Sequence, residues 1–393
     1  MNERNIVIMP GDGIGKLVLP EALRVLDAVG FKPNYIHADI GWEFWCKEGN
    51  PLPQRTLDLL TEHRVSLFGA ITSKPKDQAV KELNPELQGK GYVYYSPIVG
   101  LRQHFKLDLC IRPCRSFKGN PLNYVRRIDN KIIEPDINVV IFRQNTEGLY
   151  SGVEWTNPPD GVRSALETHP KMGAFKDVPS EDMAISCRIF SRKACHRIVL
   201  EAFKYAQRFG YKSVTICEKP NVIRETSGML RGEALKMAPD FPEIQLWHTN
   251  IDAQMMWLNK NPEDYGVIVS GNMFGDIVSD AFAGLVGGLG FANSANIGKD
   301  CAIFEPTHGS APKYENLDPS IVNPIAMILS ACLMLEYLDE TEKAKRIREA
   351  IEAVIAEQKV RTYDVLRLVG GPDVIAQGAV TTQEMTDSII AKL

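Results

Sequence analysis

Short apolar runs of strand length alternate along the chain with longer stretches whose apolar positions recur at helical spacing, the pattern of an α/β chain with a mainly parallel sheet. Residues 5–9, 65–69, 137–142, 214–217 and 267–270 predict strands, and residues 18–29 predict an amphipathic helix behind the first of them. Residues 340–359 carry helical spacing with dense charge, as on a solvated outer helix. Residues 151–182 are the least regular, rich in Pro, Gly and Asp and too long for an ordinary connection. They predict a protruding arm or a partner-binding insertion.

The chain has 393 residues, 45 Lys and Arg against 49 Asp and Glu, and a net charge of −4. That balance excludes a basic nucleic-acid arm and a disordered acidic tail, and the length predicts more than one core. The longest apolar stretch, residues 320–338, is broken by Asn323, Pro324 and Glu336, so no membrane span is expected. The first nine residues lack a basic or apolar leader pattern and read as a mature cytoplasmic start. None of the eight cysteines forms a Cys-x-x-Cys pair, so buried free thiols are expected.

Candidate chemistry falls into four segments. Residues 10–15, Pro-Gly-Asp-Gly-Ile-Gly, lie between strand and helix, but Lys16 follows where a dinucleotide fingerprint needs another spacing, and a tight turn explains the glycines equally well. In residues 272–280 a helix would put Asp276 and Asp280 one turn apart on one face, where two carboxylates in apolar surroundings call for a hard cation such as Mg²⁺ or Mn²⁺. Arg102, Arg112 and Arg143 flank apolar strands, with Ser96 upstream; three guanidinium forks suit a di- or tricarboxylic acid, three separate salt bridges being the alternative. The loop from Glu305 to Tyr314 has small residues beside His308 and Lys313, as a nucleotide cradle or an ordinary turn would.

Together these segments resemble the β-decarboxylating dehydrogenases, the family of isocitrate, 3-isopropylmalate, homoisocitrate and tartrate/D-malate dehydrogenases. Residues 272–291 carry its diagnostic pattern, residues 10–15 its first turn, and the resemblance covers essentially the whole chain. It implies an isocitrate/isopropylmalate dehydrogenase-like two-domain α/β fold that is not a Rossmann fold. The large domain would comprise residues 1–107 and 287–393, and the small domain residues 108–286, with a clasp arm at about 151–185 and an active site shared across a homodimer. Residues 142–155 resemble the isocitrate branch, closest to NADP-dependent bacterial enzymes. The implied reaction is NADP-dependent oxidative decarboxylation of isocitrate to 2-oxoglutarate and CO₂ through oxalosuccinate, a step of the tricarboxylic acid cycle.

In that reading Ser96, Arg102, Arg112 and Arg143 hold the substrate carboxylates, and Asp276 and Asp280, with Asp252 of the partner subunit, hold Mg²⁺ or Mn²⁺. Lys219 takes the hydroxyl proton, for which it should be partly desolvated or near cationic charge, and Tyr150 returns a proton to the product. Ser73, His308, Gly309, Lys313, Tyr314, Asn323, Tyr363 and Arg367 are the implied cofactor residues, with Lys313, Arg367 and two phenols suited to the 2′-phosphate of NADP. The chain departs from the isocitrate pattern at Phe68, in an insertion at residues 75–95, at Ile98 where asparagine is usual, and at Gln144, Pro220 and residues 224–228. These departures bear on substrate identity, leaving homoisocitrate, a phosphonate analogue of isocitrate, or a non-catalytic regulatory subunit as alternatives.

Overall fold

The computed structural model describes residues 4–393. Its centre is a ten-stranded sheet whose strands, in chain order, are β1 (Asn5–Gly11), β2 (Asn34–His37), β3 (Val65–Ala70), β4 (Leu109–Arg115), β5 (Asn138–Gln144), β6 (Ser213–Glu218), β7 (Gln245–Asn250), β8 (Val267–Ser270), β9 (Asn293–Ile297) and β10 (Ala302–Pro306). Their order across the sheet is β7-β6-β8-β5-β4-β9-β10-β3-β1-β2. Neighbours are parallel except at β5–β4, β4–β9 and β9–β10. The strands expected from apolar runs all form, because a run buried on both faces needs no alternation to be recognised. Strands from residues 109–270 occupy one half of the sheet and those from residues 5–70 and 293–306 the other, and pairing is unbroken across the junction of β4 and β9.

Principal helices are α1 (Gly15–Ala28), α2 (Pro97–His104), α3 (Arg192–Phe209), α4 (Asn272–Leu285), α5 (Ile325–Tyr337) and α6 (Thr341–Glu357). Helices α1, α3 and α5 cover one sheet face, where a single apolar cluster runs from Ile6 and Ile8 through Ile111 and Phe142 to Val214 and Val267. The other face is divided. Val139, Ile141 and Ile268 pack under Val278 and Phe282 of α4, while Val7, Met9, Phe68 and Ile303 form a second cluster with Ile98 and Leu101 of α2. Between these two clusters the sheet presents Arg112, Arg143, Ser294, Asn296 and Glu305, and this polar gap is the floor of the cleft.

The structure changes several expectations. The irregular segment contains a helix, Asp160–Glu167, and a two-stranded antiparallel ribbon of Glu154–Thr156 with Ala184–Ser186. Phe68 is 1% exposed on β3, in register beside Met9 of β1, so it belongs to the core packing. The insertion at residues 75–95 folds a small core of its own, with Ala79, Leu83 and Tyr94 against Trp45. All eight cysteines are free thiols. No helix among the described residues is long and apolar enough to cross a membrane.

Candidate active site

Alternation along β4 and β5 aims Arg112 and Arg143 to the divided face, because Cys110 pairs with Arg143 and Arg112 with Ile141. Helix α4 closes over them. Gly275 permits this, since a Cβ there would sit 2.8 Å from Cγ of Arg143. Arg143, 3% exposed, donates from Nη1 to Asp276 Oδ1 at 2.5 Å and from Nε and Nη2 to Asn272 Oδ1 at 3.1 and 2.9 Å. Arg112 donates from Nη1 to Ser279 Oγ at 2.7 Å, Asp280 Oδ1 at 3.1 Å and Asp276 Oδ1 at 3.2 Å. Its Nε is buried with no partner, a donor left for an incoming acceptor.

Arg102, on α2, donates from Nε to Asn296 Oδ1 and from Nη2 to Glu305 Oε1, each at 3.1 Å. Asn296 is fully buried, and its Nδ2 donates to Glu305 Oε1 at 2.7 Å, so the strand pair β9–β10 holds the arginine in place. Burial pulls the Arg143 guanidinium below its ordinary value, and the like charges of Arg112 and Arg102 add to that pull. Three cations therefore share one field, which favours a polyanion. Each arginine is also paired with a carboxylate, Arg102 separately with Glu305 and Arg112 and Arg143 jointly with Asp276, so the salt-bridge alternative holds for Arg102 and becomes a shared network for the other two.

The two expected metal carboxylates are on one face of α4, as the spacing requires. Burial pushes Asp280 above its ordinary value, Arg112 pulls it back, and the neighbouring Asp276 charge pushes it up again. This all-oxygen pair suits a hard divalent cation. Among the described residues no three His, Cys, Asp or Glu side chains converge as a metal site. Asp252 stands elsewhere, accepting from Lys219 Nζ at 2.5 Å. Lys219 is partly desolvated, with 22% side-chain exposure, but its companion is this carboxylate, not the cation expected as an alternative.

Tyr150 is carried by the turn after β5. Gln144 builds that turn, accepting the N–H groups of Thr146 at 3.0 Å and Glu147 at 2.7 Å, which gives the atypical glutamine a structural role. The phenol lies beside the cluster, its ring 5.7 Å from the Arg143 guanidinium. Burial and the Asp276 charge raise its pKa, which keeps it a proton donor. Ser96 stands at the N-cap of α2 with no capping bond from its hydroxyl.

A cavity of about 460 Å³ opens near α4's C-terminal end, lined by His308, Gly309, Tyr314, Asn323 and Tyr363 from the expected set, with Ile14, Val322, Asp364 and the glycine-rich Gly287, Leu289 and Gly290. Nε2 of His308 is buried there without a partner, and burial lowers the imidazole pKa, so a neutral ring awaits a hydrogen-bonding ligand. Ser73, Lys313 and Arg367 do not line this cavity. Ser73 Oγ is 3.5 Å from the Tyr94 hydroxyl, Lys313 Nζ lies 4.7 Å from the Tyr314 ring centroid, and Arg367 donates to the Pro121 carbonyl at 3.1 Å. The glycines of the turn at residues 10–15 allow close backbone packing. Gly13, at φ 52°, packs against Ser310, while Asp12 accepts the N–H groups of Trp42 at 2.8 Å and Thr72 at 2.9 Å.

The profile of the isocitrate/isopropylmalate dehydrogenase family matches residues 5–389. The chain belongs to this family. The sequence is 37% identical over 385 residues to Protein DlpA of Legionella pneumophila, covering 98% of this chain but 58% of that protein. It is 37% identical over 357 residues to the 3-isopropylmalate dehydrogenase of Methanothermobacter thermautotrophicus, covering 91% and 92% of the two chains. The crystal structure of isocitrate dehydrogenase from Methylococcus capsulatus superposes with a TM-score of 0.80 at 32% identity, over 99% of both chains. The dehydrogenase family and fold expected from the motifs are those found. Of the residues the structure adds to the site or its supports, Ile14, Asn272, Ser279, Gly287 and Glu305 lie within the segments 10–15, 272–291 and 305–314, whereas Asn296 and Asp364 lie outside every motif segment.

Proposed function

We propose that this family member catalyses NADP-dependent oxidative decarboxylation of isocitrate in a homodimer with shared active sites. The observation that carries the reading is the convergence of Arg102, Arg112 and Arg143 on one cleft with Asp276, Asp280 and Tyr150. The arginines bind carboxylates by charge-assisted hydrogen bonds, and Arg112 Nε offers a donor ready for one. Asp276 and Asp280, with Asp252 of the partner subunit, would hold Mg²⁺ or Mn²⁺, which supplies Lewis-acid polarisation of the hydroxyl and later of the developing enolate oxygen. Lys219 of the partner subunit receives the hydroxyl proton, and Tyr150 delivers a proton to the carbon left by CO₂. The His308 cavity would hold NADP⁺, which would supply the hydride acceptor. Support for the 2′-phosphate comes from Lys313, whose ammonium lies 4.7 Å from the ring of the cavity-lining Tyr314.

One observation favours a second substrate. Ile98 is packed in the core, and Val99, three residues before Arg102 on the same face of α2, is 47% exposed. An apolar side chain there suits a malate bearing an alkyl group, as in 3-isopropylmalate. Reduction of NADP⁺ with isocitrate, homoisocitrate, isopropylmalate, D-malate and tartrate, with and without EDTA, tests both readings. Highest kcat/KM with isocitrate supports the first, and highest with isopropylmalate the second. Activity with none of them in the presence of metal would leave the regulatory-subunit reading or a specialised substrate such as a phosphonate analogue of isocitrate.

A further inference from the structure

A second buried ion pair lies outside the arginine cluster. Glu218, the last residue of β6, is fully buried. Its Oε1 accepts the Gly271 N–H at 2.8 Å, and its Oε2 accepts Ser227 Oγ at 2.6 Å and Arg188 Nη2 at 2.8 Å. Arg188 also donates from Nη1 to Thr226 Oγ1 at 2.8 Å and Ser227 Oγ at 3.0 Å, and its guanidinium lies 4.5 Å from the Phe190 ring centroid and 5.1 Å from that of Phe274. Burying an ion pair is a poor route to stability, and the best-attested return is a fixed arrangement of the elements it joins.

The elements joined by this pair carry the chemistry. The residue after Glu218 is Lys219, whose N–H also reaches Ser227 Oγ at 3.4 Å. The residue after Gly271 is Asn272, which grips Arg143 and begins the helix of Asp276 and Asp280. Arg188 arrives on the chain returning from the ribbon, pinned by the bonds from Cys187 N to Val153 O and from Gly148 N to Ile189 O, each 2.8 Å.

We infer that Glu218 and Arg188 are positioning residues that fix the strand end bearing Lys219 against the N-terminus of α4. The inference rests on the proposed shared active site. In that dimer Lys219 serves the partner's cleft while Asp276 and Asp280 serve their own, so the Glu218 carboxylate sets the spacing between two active sites.

The test uses hybrid dimers. Mixing Lys219→Ala with Asp280→Asn subunits leaves one intact site per heterodimer, and about a quarter of wild-type activity returns after statistical reassociation. Glu218→Gln is then placed on the Asp280→Asn chain, which delivers the working Lys219, or on the Lys219→Ala chain, which delivers the working α4. On either chain, kcat of the hybrid is expected to fall about 10- to 100-fold with substrate and cofactor KM within about threefold, as for a displaced reacting group. Ser227→Ala, smaller and buried, repeats the measurement should Glu218→Gln fail to fold, and Arg188→Lys should recover more kcat than Arg188→Gln. If mixing restores no activity although the wild type is active, the shared-site reading fails. Restored activity that none of these changes lowers, or a loss carried by KM alone, overturns the inference.

Discussion

Arg143 and Asp276 form the innermost contact of the cleft, Nη1 to Oδ1 at 2.5 Å, joining the strand floor to the helix that roofs it. The same guanidinium uses its other edge on Asn272, so it is held as a fork and not as a point charge. Arg143→Lys keeps the charge but cannot make both sets of bonds. At about 1.5–3 kcal/mol for each charged hydrogen bond, kcat/KM should fall about 10²-fold or more. Asp276→Asn leaves the buried Arg143 guanidinium without its carboxylate and Arg112 with Asp280 alone, and thermal unfolding should register a loss of about 3–5 kcal/mol. An unchanged melting curve would show that Asp276 does not help to hold α4 on β4 and β5.

Tyr150→Phe removes the proposed proton donor while keeping the ring over Arg143. The expected loss is about 10²–10⁴-fold in kcat, with the dissociation constant of NADPH unchanged. Because burial and Asp276 raise this phenol's pKa, the protonated form persists through neutral pH. The wild-type kcat profile should therefore show no alkaline fall from Tyr150 below pH about 10. Normal turnover by the phenylalanine variant would end this assignment.

Much of this site was legible because its chemistry is carried by short segments: the one-turn spacing of Asp276 and Asp280, and arginines at the ends of apolar runs. Its supports were not. Asn296 and Glu305 meet Arg102 from about two hundred positions away, and only the antiparallel register of β9 with β4 and β10 brings them there. Strand β9 itself, Asn293–Ile297, has no apolar run to signal it, because Ala295 packs in the core between Ser294 and Asn296, of which Asn296 answers Arg102. Arg367 was misleading for a local reason. Its backbone adopts φ 58°, which turns the side chain to the Pro121 carbonyl and away from the cavity.

Removing divalent metal with EDTA should abolish NADP⁺ reduction, and Mn²⁺ or Mg²⁺ should restore it. A binding readout separates structure from turnover: Asp276 and Asp280 repel each other without a cation, so metal should raise Tm in the absence of substrate. Asp280→Asn should remove most of that rise. A metal-independent Tm with metal-independent activity would refute the carboxylate assignment.

His308 provides a pH test. Its imidazole pKa is depressed in the folded chain by burial, so the unfolded chain binds the additional proton first as pH drops below about 6.5. Stability contributed by the neutral ring is thus complete above that pH and is lost as pH falls toward the folded value, at up to about 1.4 kcal/mol per unit. His308→Gln should flatten this limb of a denaturation series between about pH 6.5 and 5. The same limb in wild type and variant would show that other groups dominate it.

In the proposed homodimer a second subunit would have an apolar surface to meet. Met256 and Trp257, at the end of the short helix Ile251–Trp257, are 48% and 39% exposed, and Ile277 of the adjoining α4 is 46% exposed. These apolar groups lie on the two helices that also carry Asp252 and Asp276, so a partner seated on them would bring its own Asp252 and Lys219 to this region. Ile277→Glu puts a charge into that contact without touching the core, since the side chain faces outward from α4. Sedimentation should then show a monomer, and activity should fall in step with the dimer fraction as protein is diluted. A monomer with full specific activity would mean that the cleft is complete in one chain, with Lys219 and Asp252 reaching it by a movement of their own strand ends.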